Sequence, residues 1–264
     1  MDLQLKNKVI IVTGGAKGIG EGIVKVLAAE GAVPVIIGRN ETDNIKLVNE
    51  LKGQGLKAHQ LVAELTDPAA AERTVQAVLQ EFGQIDGLVN NAGVNDNVGL
   101  ESGNYTSFME SLHKNVVHYY LMAQSVLPSL KLSKGSIVNI GSKVADTGQG
   151  GTSAYAASNG ARNALTREWA VELLPYGIRV NAVIVAECFT PLYQSWISSL
   201  PDAEAKLAGI IGKIPLGNRM TTAEEIANAV VFLLSPRSSH TTAQLVYVDG
   251  GYVHLDRAID AVKK

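Results

Sequence analysis

The sequence predicts a single doubly wound α/β sheet, parallel throughout with helices on both faces, and two observations carry that prediction. Short, nearly continuous apolar runs rich in β-branched residues alternate with longer amphipathic stretches, several of which end in glycine. Runs of that kind are what strands covered on both faces look like, and the stretches between them have the periodicity of crossover helices. A glycine-rich turn, TGGAKGIG at 13–20, joins the first run to the first amphipathic stretch, which is where such sheets hold a phosphate at a helix N-terminus.

In chain order, KVIIVTG (8–14) reads as the first strand and GEGIVKVLAAEG (20–31) as the first helix. VPVIIG (33–38) is the second strand, and DPAAAERTVQAVLQEFG (67–83) is a helix closed by glycine. GLVNNAG (87–93) is the fourth strand, GSIVNIG (135–141) the next, ARNALTREWAVELLPYG (161–177) a helix, and RVNAVIV (179–185) the sixth strand. The pattern is repeated βαβ, with neither a solenoid repeat nor a low-complexity linker. At 264 residues, 46% of them hydrophobic, one domain spanning 1–264 is long enough to bury its own core.

Composition narrows the partners. With 23 basic against 25 acidic residues, a net charge of −2, there is no positive field to draw nucleic acid or an anionic membrane. The lone cysteine, Cys188, permits no internal disulfide, and the five histidines form no ligand cluster with it, so no metal site is expected. The opening MDLQLKNK is too polar for a signal sequence and no apolar run reaches bilayer length. A soluble cytoplasmic protein with a small-molecule partner is expected. The N-x-[ST] matches at Asn40 and Asn104 carry no weight in that compartment.

A glycine-rich loop alone is weak evidence. Its spacing, Gly14, Gly18 and Gly20, departs from the commoner GxGxxG, and with NNAG at 90–93, Ser142, the YxxxN of Tyr155 to Asn159 and VDGG at 248–251 the chain resembles the short-chain dehydrogenase/reductase family. Order and spacing match over essentially the whole chain. The resemblance implies a Rossmann fold, a nicotinamide dinucleotide, and hydride transfer between an alcohol or carbonyl and that cofactor. It places Gly14, Lys17, Gly18, Ile19, Gly20, Leu65, Asn91, Ala92 and Gly93 against the cofactor.

At the end of the second strand, where an acidic residue would hold the ribose 2′-hydroxyl of NAD, the chain has Arg39. A guanidinium pairs bidentately with a 2′-phosphate, and Lys17 stands in the glycine loop as a second cation. NADP is therefore expected ahead of NAD.

By the same resemblance the chemical centre is Ser142, Tyr155, Asn115 and the residue four past the tyrosine. That residue is Asn159, where the family has lysine. The difference matters physically. A phenol with its ordinary pKa near 10 is about one part in a thousand ionised at neutral pH. A lysine ammonium about 5 Å away, at an effective dielectric near 20, favours the phenolate by roughly 3 kcal/mol, or about two pKa units. Asparagine has the hydrogen bonds without the charge. Asn159 is thus expected to hold the nicotinamide ribose while leaving Tyr155 weaker by about a hundredfold. Lys143, beside Ser142, is a poor substitute, since adjacent strand side chains point to opposite faces. Asn159→Lys is expected to raise turnover.

Within the family, NNAGVNDNVGL, SKVADTGQGGTSAYAAS, REWAVEL, AECFTPLYQSWI, KIPLG, FLLSPRSSHTT and VDGGYVHLDRA resemble the L-fucose dehydrogenase group. That likeness implies oxidation of a free aldose at its anomeric carbon to the lactone, with Asn95, Ser142, Gln149, Tyr155, Glu187, Tyr193 and Trp196 as substrate contacts. Two other readings stand beside it: a carbonyl reductase of oxoacyl or hydroxysteroid type, and a cofactor-binding protein without useful catalysis. Departures from the family are Val185 and Ala186 in place of proline-glycine, with Cys188 and Thr190 keeping the later cofactor positions, and Ala243 in place of a glycine, a change expected to be tolerated sterically. Cys188 as a nucleophile is rejected, because no motif sets a histidine beside it. Family members commonly form tetramers. The stripe Ala157, Ala161, Leu165 and Trp169 suits such a helix face and equally an internal core.

Overall fold

The structure, a computed structural model, describes residues 1–255. The last three residues of VDGGYVHLDRA lie outside them. Seven strands form one parallel sheet in the order β3-β2-β1-β4-β5-β6-β7: β1 Val9–Thr13, β2 Val33–Gly38, β3 His59–Val62, β4 Gly87–Asn90, β5 Ser136–Ser142, β6 Arg179–Val185 and β7 Leu245–Val248. Among the described residues, nine α-helices connect or flank them: α1 Gly18–Ala29, α2 Glu41–Gly53, α3 Ala70–Phe82, α4 Tyr105–Leu112, α5 His118–Ser133, α6 Ser153–Glu172, α7 Pro191–Ser198, α8 Ala203–Ile211 and α9 Ala223–Leu234.

Each strand feeds both faces because alternate side chains point opposite ways. In β1, Ile10 and Val12 join one core with Ile23, Val24 and Leu27 of α1 and Ile226 and Val230 of α9. Val9 and Ile11 join the other, with Val75 and Val78 of α3, Met122 and Val126 of α5 and Trp169 of α6. Trp169, at 7% exposure, is therefore a core residue, whereas Ala157 is exposed. No helix among the described residues is long and apolar enough to cross a membrane.

The strand order reverses between β1 and β4, so the loops after those two strands leave in opposite directions and open a crevice beyond their carboxyl ends. Asn40 and Asn104 turn out to be helix caps: their side chains accept from Asp43 N–H at 3.0 Å and Ser107 N–H at 2.9 Å.

Ala243, just before β7, is held at φ +60°, in the left-handed region that disfavours any side chain. Its N–H donates to the Val180 carbonyl at 2.7 Å, which fixes the strained turn. The change from glycine is thus accommodated at a cost. Ala243→Gly is expected to stabilise the protein by roughly 0.5–1 kcal/mol, the strain relieved less the entropy glycine loses. A thermal melt higher by about 2–3 °C checks it.

Candidate active site

A cavity of about 700 Å³ occupies the crevice. Its floor is the glycine turn. Gly14 and Gly18 sit at φ +63° and +58°, and the Gly14 N–H is tied to the Ile37 carbonyl at 2.7 Å. Gly18, Ile19 and Gly20, the first residues of α1, line the cavity, and the preceding Lys17 makes no side-chain cap to the helix. Backbone N–H groups at a helix start, left without a side-chain cap, are a cradle for an anion. The residues present fit a dinucleotide pyrophosphate.

Asn91 and Thr13 hold this turn against the end of β4. The Asn91 amide donates to the Thr13 carbonyl at 2.9 Å and the Gly14 carbonyl at 3.2 Å, and the Thr13 hydroxyl accepts from Asn91 N–H at 2.9 Å. Asn91 thereby shapes the turn, while Ala92 and Gly93 continue the wall. Leu65, 9% exposed, lines the far end. There Arg39 and Lys17 both reach the cavity, each beside a carboxylate: Arg39 at 3.8 Å from Glu64, Lys17 at 2.7 Å from Asp43. These are exposed pairs, worth little each, and a more strongly charged anion can compete for both cations.

Ser142 ends β5 and Tyr155 lies in the first turn of α6, and both line the cavity. Asn115 lies behind them, fully buried in a single π-helical turn, His113–Val117. Such turns widen the regular helix ladder and recur at functional sites. Its side chain accepts from Val94 N–H at 2.8 Å and donates to the Ser111 carbonyl at 3.0 Å. Asn159 does not reach the cavity. Its side chain is fully buried, its amide donates to the Tyr155 carbonyl at 2.9 Å, and its Oδ1 accepts from Arg162 Nη1 at 3.1 Å. The short amide is folded back on its own helix, at the position from which it is expected to hold the cofactor ribose.

Of the expected substrate contacts, Ser142, Tyr155 and Tyr193 come together on the cavity, while Asn95, Gln149, Glu187 and Trp196 stand outside its lining. Glu187 is turned to Lys143, which is 8% exposed, ion-paired to that carboxylate and stacked 4.0 Å over the Tyr252 ring. Burial, then the charge of Glu187, raises the Tyr193 phenol. Tyr193 packs edge-on to Trp196 at 5.1 Å. Thr190 accepts from Tyr193 N–H at 3.2 Å, capping α7, and with Val185, Ala186 and Cys188 it lines the cavity. Burial pushes the Cys188 thiol up to about 11, with Glu225 adding to it, the wrong direction for a nucleophile.

Four further ionisable residues line the cavity and belong to none of the sequence motifs: Glu64, Lys114, His118 and Arg162. Lys114 lies 3.8 Å from Asp96 and 3.9 Å from Glu110. Burial first, and then the positive charge of Arg162, pushes His118 down to about 4 from its ordinary 6.5. The unfolded chain takes up that proton and the folded one does not. Stability is therefore whole above pH 6.5 and drains away as pH falls toward 4, by about 3 kcal/mol at most. Denaturant midpoints across that window are expected to fall with acid, and His118→Gln to flatten the slope.

The sequence model of the enoyl-(acyl carrier protein) reductase family matches residues 14–253. The 3-oxoacyl-[acyl-carrier-protein] reductase FabG of Thermotoga maritima is 36% identical over 253 residues, covering 95% of this chain and 100% of that one. L-fucose dehydrogenase of Bos taurus is 33% identical over 251 residues, covering 95% and 91%. Among solved structures, Cj0485 dehydrogenase is 46% identical with a TM-score of 0.92, covering 98% of each chain. The ligand-free aldohexose dehydrogenase of Thermoplasma acidophilum is 29% identical with a TM-score of 0.86, covering 96% of each.

Proposed function

Since the chain belongs to the short-chain dehydrogenase/reductase family, we propose that it oxidises a small sugar, L-fucose or a related aldose, at the anomeric carbon to the lactone, with NADP preferred over NAD. The observation that carries the sugar is the polar mouth of the cavity. Tyr193 lines it, its buried hydroxyl left without a hydrogen-bond partner among the described residues, while outside the lining Lys143 and Glu187 form a buried ion pair and Trp196 packs edge-on to the Tyr193 ring. A sugar ring asks for hydroxyl partners and an apolar face together. An acyl chain would ask for an apolar channel, and a buried ion pair there is costly. The likeness to L-fucose and aldohexose dehydrogenases supports the same reading. The 36% identity to a 3-oxoacyl reductase favours the carbonyl-reductase alternative.

When bound, the nicotinamide accepts the hydride. Everything else falls to the chain. Tyr155 takes the proton of the sugar's anomeric hydroxyl, and Ser142 holds the same oxygen by hydrogen bond, so that the oxygen cannot rotate away while its proton leaves. Asn115, spent on Val94 and Ser111, keeps the wall behind them rigid. Arg39 and Lys17 hold the 2′-phosphate and the glycine turn the pyrophosphate. Assembly as a cytoplasmic homotetramer belongs to the same proposal.

The deciding experiment supplies NADP+ or NAD+ with L-fucose, D-arabinose and other aldoses, and separately the reduced nucleotides with an oxoacyl thioester and a ketosteroid. Aldose-dependent reduction of nucleotide, faster with NADP+, is expected. Reduction of the thioester or steroid without any aldose turnover overturns the sugar, and tight nucleotide binding with no turnover in either direction overturns the enzyme.

A further inference from the structure

Arg162 is 3% exposed, yet it pairs with no carboxylate among the described residues. Its guanidinium is held by neutral acceptors alone. Nε donates to the Asn115 carbonyl at 2.7 Å, Nη1 to the Ile140 carbonyl and to Asn159 Oδ1, both at 3.1 Å, and Nη2 to Asn115 Oδ1 at 3.4 Å. The Tyr119 ring lies 4.3 Å below it. Room for the group is made by Gly93, on which a Cβ would sit 2.8 Å from Nη2. A charge desolvated without a counterion is expensive to keep, and neutral residues could satisfy the same carbonyls. Something other than hydrogen bonding keeps the charge there.

Position supplies the reason. Tyr155, Asn159 and Arg162 stand at i, i+4 and i+7, one stripe of α6, and long helical side chains lean toward the N-terminus. The arginine therefore reaches back along the stripe to Asn159, whose own amide donates to the main-chain carbonyl of Tyr155. The other cations on or beside the cavity are committed: Lys143 to Glu187, Lys114 between Asp96 and Glu110 and, at its far end, Lys17 to Asp43 and Arg39 to Glu64. The remaining titratable groups on the cavity are Glu64, beside Arg39, and His118, Cys188 and Tyr193, with Tyr119 behind Arg162.

Resting on the dehydrogenase reading above, we propose that Arg162 is the positioning cation of this active site, supplying from one turn further along α6 the positive field that a lysine at 159 would supply. Burial first, and then the charge of Arg162, lowers the neighbouring His118. The effect of Asn159→Lys changes accordingly. Lysine there would press an ammonium against the guanidinium now 3.1 Å from Asn159 Oδ1, so the single substitution is expected to lower activity. The gain is expected only when Arg162 is removed as well.

The test reads the phenol directly in the nucleotide-free protein. With ring-labelled tyrosine, the Tyr155 resonance, identified by its loss in Tyr155→Phe, is titrated in the parent, Arg162→Lys, Arg162→Met and Asn159→Lys/Arg162→Met. Arg162→Gln, which keeps part of the hydrogen bonding without the charge, replaces methionine should that variant not fold. A cation within about 10 Å at an effective dielectric near 20 moves a phenol by roughly one unit. The midpoint is expected to rise by about that much in Arg162→Met or Arg162→Gln, to stay near the parent in Arg162→Lys, and to return in the double variant. The alkaline limb of kcat should move in step. Equal midpoints in the parent and the uncharged variants overturn the proposal, whatever the substrate proves to be. A parent that oxidises no aldose overturns the function above and leaves the titration standing.

Discussion

Tyr155→Phe is expected to lower kcat for the sugar by about a thousandfold while leaving the melting temperature and KM within a factor of a few. Tyr155, in the first turn of α6, lines the cavity with Ser142 and belongs to neither hydrophobic core, so removing one oxygen from its side chain opens no hole in either core. The deletion therefore isolates the proton-transfer contribution, which general acid–base groups typically supply at 10²–10⁴. The two hydroxyls are not equivalent. On the proposed mechanism Ser142 orients the oxygen that reacts and Tyr155 takes its proton, so Ser142→Ala is expected to cost less than Tyr155→Phe. Steady-state rates over a pH series check both: if Tyr155→Phe keeps more than about a tenth of the parent's kcat, the proton moves through another group.

What the sequence made legible follows from what each residue must do locally. β1, β2, β4, β5 and β6 are buried throughout or nearly so, and burial on both faces writes itself as an unbroken apolar run. β3 is an edge strand, HQLV, half-exposed and pairing only with β2, so it carries no such run. The glycine turn was legible because three glycines answer one geometric demand. Asn159 was legible as a difference but not in its consequence. Its short amide turns inward on the helix, which no spacing rule states, and Arg162 looks in sequence like any solvated helix residue. Only the i+7 interval from Tyr155 hinted that it shares the tyrosine's face. The polar mouth was half legible: Tyr193 was placed on the cavity, while the Lys143–Glu187 pair joins residues 44 apart in the chain.

Gly20→Ala is expected to abolish nucleotide binding at any practical concentration and to cost about 2–3 kcal/mol of stability, a melt lower by roughly 5–10 °C. The reason is distance. A Cβ on Gly20 would lie 2.2 Å from the Gly14 carbonyl oxygen and 2.7 Å from Asn91 Nδ2, and neither can yield cheaply. The Gly14 backbone is pinned through its N–H to Ile37, and its carbonyl, like that of Thr13, accepts from the Asn91 amide. Relief must come from the turn opening, which pulls the first amides of α1 out of the arrangement that receives a pyrophosphate. Gly209 provides the comparison, since it lies inside α8 with nothing within 4 Å of its added Cβ. Gly209→Ala should stabilise by up to about 1 kcal/mol and leave binding alone. Fluorescence titration with NADP+ and NADPH beside a thermal melt separates the two sites. If Gly20→Ala binds nucleotide as the parent does, the glycine turn is not the phosphate cradle, and the cavity must take its ligand the other way round.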